Sequence, residues 1–325
     1  MFQQVSFGVV ALSLALSLSG KAAEPGDKGV SITELPGKVR VEIDGGLFTE
    51  YYFQGAPHLY YYPVIGPGGL AMTRDYPMKT DTAGEERDHP HHRSLWYSHG
   101  SVDGVDFWSE TPKAGKIVHG KFLELRSGTE SGVIRSQNNW VAPDGEIVCT
   151  DERTFRVYAR PASERLFDFE ITLRSGAKEV VLGDTKEGSF GMRIAESMRL
   201  THGKLPGQGH IVLSTGIRDG DTWGKRAEWC DYFGPVEGKT AGIAIFDHPQ
   251  NPQHPTRWHV RDYGLFAANP FGLHDFEKKP PGSGNLSIPA GQSVTFRYRV
   301  YLHPGDDRQA DVARRYRDYA GAIRP

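Results

Sequence analysis

The sequence lacks an excess of charge of either sign. Lys and Arg together number 38, Asp and Glu number 40, and the formal net charge is −2. Nucleic acids and anionic membrane surfaces are bound through concentrated basic surfaces, so this balance favours neither partner. The chain also has no phosphate-binding Gly-x-x-x-x-Gly-Lys-Ser/Thr, no Gly-x-Gly-x-x-Gly after a strand, no Gly-x-Ser-x-Gly and no His-Glu-x-x-His. These absences disfavour nucleotide-driven, serine-esterase and zinc-protease chemistry.

Cysteine is scarce, since only Cys149 and Cys230 occur in the 325 residues. In an exported protein the two can form a disulfide, whereas in any compartment they can be two buried thiols. Their separation does not match the spacing of a zinc or redox pair. The sequence leaves the disulfide and the free thiols open.

Long apolar runs are absent except for Val5–Gly20. This run has the length of a signal-peptide core and is short for a membrane span, and small residues follow it. We therefore predict a signal peptide over residues 1–23, cut after Ala22 or Ala23. The mature chain is predicted to be periplasmic or secreted, with no membrane span.

What the chain has in quantity is turn formers and aromatics: 39 Gly and 21 Pro without a fixed period, and 11% aromatic residues. Between the turns, apolar residues alternate with polar ones, most clearly at Arg165–Ser175 and Val294–Leu302. Such alternation is typical of strands with one buried face. The fold class is predicted to be all-β: one large antiparallel β-sandwich, supersandwich-like, forming a single domain over residues 28–325.

One helix is predicted near the end of the chain, over Arg308–Ala322. Val312, Tyr316 and Tyr319 share one face of this segment, and arginines lie off that face.

Histidines are concentrated in two short windows, Arg87–Gly100 and Phe246–His259. The first window contains His89, His91, His92 and His99, and the second contains His248, His254 and His259. Both windows also contain Trp and Arg, and prolines interrupt regular strand pairing in both. We predict that the windows meet in one pocket, with His91 or His92 within about 10 Å of His248 or His259.

Three interpretations of these histidines remain open. His89 and His91, with His99, a carboxylate or a histidine of the second window, have the residue types of a metal site. Imidazole also titrates near neutral pH, which suits acid–base catalysis, and Arg93 suits an anionic or hydroxyl-rich substrate. Alternatively, the histidines bond to backbone in a polar structural loop.

Aromatic and acidic residues near the windows are typical of carbohydrate binding. Trp96 and Trp108 offer flat apolar faces for sugar rings, although aromatic residues in strands also fill cores. Glu196 has the parity of the apolar positions of the preceding strand. It is therefore either a carboxyl with a raised pKa at a cleft or the partner of Arg193 or Arg199 in an ion pair.

The two windows resemble the PmoA-like family, largely of unknown function. The resemblance rests on His89-Pro-His-His-Arg-Ser-Leu-Trp, Gly104-Val-Asp-Phe-Trp-Ser-Glu, the segment Asp247–His259, and Tyr263-Gly-Leu-Phe-Ala-Ala-Asn-Pro-Phe-Gly. The methane oxygenase that the family label suggests is a protein of several membrane spans, whereas this chain has one apolar stretch. The layout is also similar to galactose-mutarotase-like supersandwich proteins, a resemblance that implies carbohydrate chemistry.

The leading hypothesis is an exported carbohydrate-active enzyme, a hydrolase, lyase or epimerase, that uses His/carboxylate acid–base chemistry on a sugar or sugar derivative. Two alternatives are a non-catalytic glycan-binding protein and a metal-dependent hydrolase or oxygenase. The expected partner is a carbohydrate or another small polar ligand, without nucleic acid; metal and cofactor stay open. The predicted catalytic residues are His91, His92, His99, Glu196 and His259. The predicted substrate-binding residues are Arg93, Trp96, Trp108, His248, His254 and Trp258.

Overall fold

A computed structural model describes residues 28–203 and 205–321. The predicted signal peptide at residues 1–23 lies outside the described residues. Within the described ranges, no helix is both long enough and apolar enough to cross a bilayer.

The described residues form twenty strands and two α-helices. In chain order the strands are β1 (Val30–Leu35), β2 (Lys38–Ile43), β3 (Gly46–Tyr52), β4 (Tyr60–Tyr61), β5 (Leu95–His99), β6 (Lys116–Arg126), β7 (Ser131–Val141), β8 (Ile147–Tyr158), β9 (Arg165–Arg174), β10 (Val180–Leu182), β11 (Gly188–Arg193), β12 (Thr201–His202), β13 (Leu205–Pro206), β14 (His210–Leu213), β15 (Trp229–Val236), β16 (Lys239–Asp247), β17 (Arg257–Val260), β18 (Leu265–Asn269), β19 (Leu286–Ile288) and β20 (Ser293–Pro304). The helices are α1 (Leu273–Glu277) and α2 (Val312–Gly321), and 3-10 turns occur at Pro67–Gly69, Glu196–Met198 and Asp219–Asp221.

Sixteen of these strands form two large antiparallel sheets. The first sheet has the order β1-β2-β3-β4-β5-β11-β18-β17, and the second has the order β14-β15-β16-β20-β9-β8-β7-β6. Two small ribbons, β10-β19 and β12-β13, lie outside them. The predicted antiparallel β-sandwich is confirmed.

The core lies between the facing sides of the two sheets. Tyr61 of the first sheet packs on Phe155 of the second, with ring centroids 4.3 Å apart. Phe190 contacts Phe169 at 4.9 Å and Tyr298 at 4.8 Å. The inward residues are those that the alternating pattern predicts, and each buried large side chain stabilises the fold by about 1.5–3 kcal/mol.

Helix α2 covers part of the outer face of the second sheet. Val312, Tyr316 and Tyr319 are buried as predicted, and the ring of Tyr316 lies 5.8 Å from that of Phe246. The helix begins at Val312 rather than at the predicted Arg308. The Asp306 carboxylate accepts the N–H groups of residues 308 and 309, at 3.0 and 2.8 Å, and closes a turn before the helix.

Both cysteines are buried free thiols. Cys149 lies on β8 and Cys230 on β15, so the structure shows the second of the two alternatives. Burial raises the pKa of each thiol, which keeps both protonated.

The outer face of the first sheet has room for a site because its central strands carry small residues. A cross-strand row runs Tyr60–Trp96–Gly191–Ala267–His259 over β4, β5, β11, β18 and β17. A Cβ at Gly191 would come within 2.9 Å of the Trp96 ring, so the indole lies directly over this glycine. The row thus begins with two aromatic residues, Tyr60 and Trp96, and ends with His259.

Candidate functional site

The long connection from β4 to β5 folds over this outer face and is held by Arg74. The Arg74 side chain is fully buried, and it donates to the backbone carbonyls of Tyr76 (3.2 Å), Glu86 (3.1 Å) and Asp88 (2.8 Å). It also bonds the Asp88 carboxylate. One guanidinium therefore fixes the segment that carries the first histidine window.

Asp88 and His89 form a hydrogen-bonded pair. Nδ1 of His89 lies 2.7 Å from Oδ2 of Asp88, and Nη2 of Arg193 donates to Oδ1 at 2.8 Å. Partial burial raises the pKa of Asp88, but the His89 bond and the Arg193 and Arg74 charges outweigh it and hold the pKa well below its ordinary value. Because the ionised carboxylate only accepts, Nδ1 of His89 carries a proton. In the neutral imidazole, Nε2 is then a free lone pair.

The backbone of His89 lies in the left-handed region, with φ at 45°. A side chain other than glycine pays of order 1 kcal/mol or more for this conformation, and such residues concentrate at functional sites. The N–H of His92 donates to the His89 carbonyl at 3.0 Å and holds the turn.

Four aromatic rings stack in a column that includes His89. Its imidazole lies 5.1 Å from Tyr263 and 4.8 Å from His92, both nearly parallel, and His92 lies 5.3 Å from Trp96. Nη1 of Arg193 contacts Nδ1 of His92 at 3.3 Å. Since arginine only donates, Nδ1 of His92 accepts. Burial, with the nearby imidazole and guanidinium groups, lowers the pKa of His92 well below its ordinary value.

The connection from β5 to β6 adds Asp106, Trp108 and Ser109. Oδ1 of Asp106 accepts the N–H groups of Trp108 (2.8 Å) and Ser109 (3.1 Å), so this carboxylate shapes its own turn. The His91 ring meets Trp108 edge-on at 6.4 Å. Burial, with the neighbouring His89, lowers the pKa of His91 to about 4.

His259 faces the site from β17, at the edge of the first sheet. Its Nδ1 donates to the Lys186 carbonyl at 2.5 Å, which leaves Nε2 as an acceptor. Burial lowers the pKa of His259 to about 4; the carbonyl bond opposes this shift, and the Arg261 and Lys186 charges add to it. Next to it, Lys186 pairs with Glu187 at 3.2 Å.

These groups surround one cavity of about 560 Å³, within the usual range for small-ligand sites. It is lined by His89, His91, His92, Gly100, Asp106, Trp108, Ser109, Lys186, Glu187, His259, Arg261 and Tyr263. His91, His92, Trp108 and His259 are therefore predicted site residues that the structure brings together, and the two histidine windows meet through His259.

Two predicted residues lie in the protein interior instead. His99 is 1% exposed, its Nε2 bonds the Gly183 carbonyl at 2.9 Å, and its ring packs on Phe271. Trp258 is fully buried in the core between the sheets and donates to the Ala227 carbonyl at 3.0 Å. These positions argue against the predicted catalytic role of His99 and ligand contact of Trp258, because neither side chain reaches the cavity.

Three more predicted residues lie near the cavity without lining it. Glu196 pairs with Arg199, so the structure shows the ion-pair alternative, although with its second oxygen buried and unpartnered. Arg93 pairs with Glu110 at 2.5 Å, and Trp96 is fully buried beneath His92. Arg93 and Trp96 are not among the residues that line the cavity.

His248 and His254 of the second window lie in the loop that follows β16 of the second sheet. His254 bonds Asp247 at 2.7 Å and borders a separate cavity of about 570 Å³ beside α2. The His248 ring lies 5.4 Å from Tyr319 of α2. These two predicted substrate-binding residues do not line the cavity that holds His259.

The described part of the chain does not contain the set of ligands that the metal hypothesis requires. No group of three or more His, Cys, Asp or Glu side chains there is arranged to hold an ion. The rings of His89 and His91 are 5.8 Å apart and steeply inclined.

Several residues of the site were not predicted from the sequence, and His89 was predicted only as a metal ligand. Asp88 directly precedes His89, and this adjacency was the available signal for the pair. Lys186 and Arg261 belong to no motif named above, and the motif that begins at Tyr263 did not assign this residue to the site, because all three reach the cavity only through the order of the strands.

Comparison with solved structures finds partial structural matches at low sequence identity. The heparan sulfate lyase HepC from Pedobacter heparinus matches with 10% identity and a TM-score of 0.38, over 86% of this chain and 36% of the lyase. A GalM/aldose epimerase homologue from C. elegans matches with 9% identity and a TM-score of 0.33, over 85% of this chain and 99% of that protein. The alpha-galactosidase from Lactobacillus brevis matches with 9% identity and a TM-score of 0.30, over 86% of this chain and 40% of that enzyme. The chain thus spans about a third of the lyase, and likeness of this degree does not define an activity.

No curated protein matches the chain by sequence. A family model matches residues 38–317, and its description is DUF6807, a family of unknown function. The resemblance to the PmoA-like family stays a prediction.

Proposed function

We propose an acid–base function on a sugar for this chain, which belongs to the DUF6807 family of unknown function. The observation that carries the proposal is the Asp88–His89 pair at the wall of the cavity. The ligand is a sugar or sugar derivative, and His89 is the group that takes a proton from it.

The pair has the arrangement of a general base. Asp88 fixes the tautomer of His89, leaves Nε2 free to accept, and stabilises the imidazolium that forms when a proton arrives. Arg74 and Arg193 keep Asp88 ionised, and the stacked rings of Tyr263 and His92 restrict rotation of the imidazole. His92 is a positioning residue, because it acts through His89.

Other residues of the lining supply the complementary groups. His259 offers a second neutral imidazole, which accepts a hydrogen bond from a hydroxyl. Burial raises the pKa of Tyr263, so its O–H stays protonated at neutral pH and can return a proton, as can the Lys186 ammonium. Proton uptake and proton return are therefore both available across one cavity.

The lining also suits a hydroxyl-rich ligand. Trp108 and Tyr263 add aromatic surface to the lining, and Ser109, Glu187 and His259 offer hydrogen-bonding groups. A purely glycan-binding protein would use the same aromatic wall, but it has no need of a histidine oriented by a carboxylate.

Proton NMR of a sugar panel in D₂O tests the proposal without knowledge of the reaction class. Epimerisation, elimination, hydrolysis and C–H exchange all change the spectrum. We expect turnover of at least one sugar, reduced about 10²-fold or more in His89→Gln, the usual contribution of a general base.

His210→Gln is the matched control, since His210 is an exposed histidine beside Asp219 on the second sheet. Turnover that survives His89→Gln would contradict the role of His89. Binding without any turnover in the wild type would establish the glycan-binding alternative.

A further inference from the structure

Arg261 differs from the other arginines around the cavity in having no counter-charge. Arg74 and Arg193 share Asp88, and Arg93 pairs with Glu110. The Arg261 guanidinium lies 5.6 Å from the Trp223 ring centre and 5.3 Å from that of Tyr263. Its side chain makes no hydrogen bond or ion pair with any residue of 28–203 or 205–321.

The acidic groups of the cavity are already engaged. Glu187 pairs with Lys186, Asp106 accepts from the backbone of its own turn, and Asp88 is shared by two arginines. None of these carboxylates therefore bonds the Arg261 guanidinium.

The arginines also act on two histidines of the cavity. Burial is the main cause of the lowered pKa of His259 and of His92; the Arg261 charge adds to the first shift, and the Arg193 and Arg74 charges add to the second. The Arg261 charge, which disfavours a proton on His259, favours an anionic group in the same space.

The aromatic rings attract the Arg261 guanidinium but do not provide hydrogen-bond acceptors for it. A ring face attracts the cation, but it does not accept the five N–H donors as oxygen atoms do. Carboxylate, sulfate and phosphate groups match the planar fork and bond it in bidentate fashion.

We propose that the sugar bound in this cavity carries an anionic oxygen group, a carboxylate, sulfate or phosphate, and that Arg261 binds that group. The inference rests on the proposed function of the cavity and specifies its substrate class as acidic sugars. Arg261 then determines substrate specificity, while His89 accepts the proton.

Calorimetric titration with matched sugar pairs tests this assignment. The pairs are D-glucose with D-glucuronate, D-galactose with D-galacturonate, and D-glucose with D-glucose 6-phosphate or 6-sulfate. We expect the anionic member of at least one pair to bind about tenfold or more tightly, consistent with a charge-assisted bidentate contact. The pair with the largest ratio identifies the anion.

Arg261→Gln should remove this preference, so that the ratio of the two affinities falls to about one, and Arg261→Lys should retain part of it. Arg314→Gln on the exposed face of α2 is the matched control, because Arg314 pairs with Asp311 just before this helix and with Asp318 within it, far along the chain from the cavity residues. Equal binding of neutral and anionic sugars in the wild type would overturn the inference and leave the sugar function standing. A preference that survives Arg261→Gln would assign the anion to another cation and overturn the role of Arg261.

If no sugar binds, the proposed sugar function fails, and inorganic sulfate alone then tests the anion site. We expect sulfate to shift the NMR signal of the His259 imidazole in a saturable way in the wild type and not in Arg261→Gln. Absence of that shift, together with absence of sugar binding, would overturn both proposals.

Discussion

Two aspartate–histidine pairs, one beside each of the two large sheets, have the same bond length but different surroundings. Asp88–His89 and Asp247–His254 each have an oxygen–nitrogen distance of 2.7 Å. Asp88 is partly exposed and shared with two arginines, and His89 lies in a stack at a cavity wall. Asp247 is 1% exposed.

The other bonds of Asp247 are to its own loop. Its oxygens accept from the Asn251 side chain at 2.8 Å and from the N–H of Thr256 at 2.9 Å. Arg226 donates to three successive carbonyls of the same loop, at residues 253–255. The comparison shows that the effect of the same hydrogen bond depends on the other partners of the carboxylate. The bond to Asp88 orients the His89 ring at the cavity, whereas the bond to Asp247 closes a loop.

Acid is expected to have the largest effect, and it acts mainly on the region of the first pair. His91 and His259 have folded pKa values of about 4, whereas unfolded histidine titrates near 6.5. Between these pH values only the unfolded chain binds the protons. The contribution of these histidines to the free energy of unfolding is therefore fully present above about pH 6.5 and is lost as the pH falls towards 4. Each histidine contributes about 3 kcal/mol to this loss.

Urea unfolding at pH values from 7.5 to 4.5 measures this dependence. The variant His259→Gln should show a flatter dependence than the wild type, because it removes one of the groups. Equal stability at both ends of the range would contradict the burial of neutral imidazoles.

Asp247→Ala is expected to lower the free energy of unfolding by about 3–5 kcal/mol, since it leaves the buried partners of a carboxylate without their acceptor. Urea denaturation measures the loss, and Asp318→Ala on the exposed face of α2, where the carboxylate pairs with exposed Arg314, is the control. A loss below about 1 kcal/mol would break the distinction between the two pairs.

Substitution of the two histidines gives the smallest but most direct contrast. His254→Gln should cost about 1–3 kcal/mol of stability, because buried Asp247 loses a donor, and should leave sugar turnover unchanged. His89→Gln should cost less than about 1 kcal/mol, since Asp88 keeps both arginines. Parallel denaturation and turnover measurements on the two variants check the contrast, and a reversed order of stability would contradict it.

The sequence predicted the sheets better than the site. On β9, the alternation of Phe167, Phe169, Ile171 and Leu173 directly reflects one buried face, and all four are buried. Strand alternation also accounts for the misplaced site residues. Trp258 has inward parity and His259 has outward parity, while His99 follows Leu95 and Tyr97 inward.

The contributions of Lys186, Arg193 and Arg261 were beyond reach of the sequence for a different reason. They approach the first histidine window only because β11 and β18 lie between β5 and β17. Local patterns specify which face a residue occupies, but they do not specify which strand is its neighbour.

That strand order also has a consequence for the timing of folding. β5 and β11 are neighbours in the sheet although the whole of β6–β10 intervenes in the chain, and β17 reaches the site only through β18. Pairings between distant segments are slow to form, because the entropy of closing the loop is lost before the contacts are gained. The cavity is therefore expected to be among the last parts of the molecule to assemble. A newly made chain would acquire its binding capacity well after most of its strands have paired.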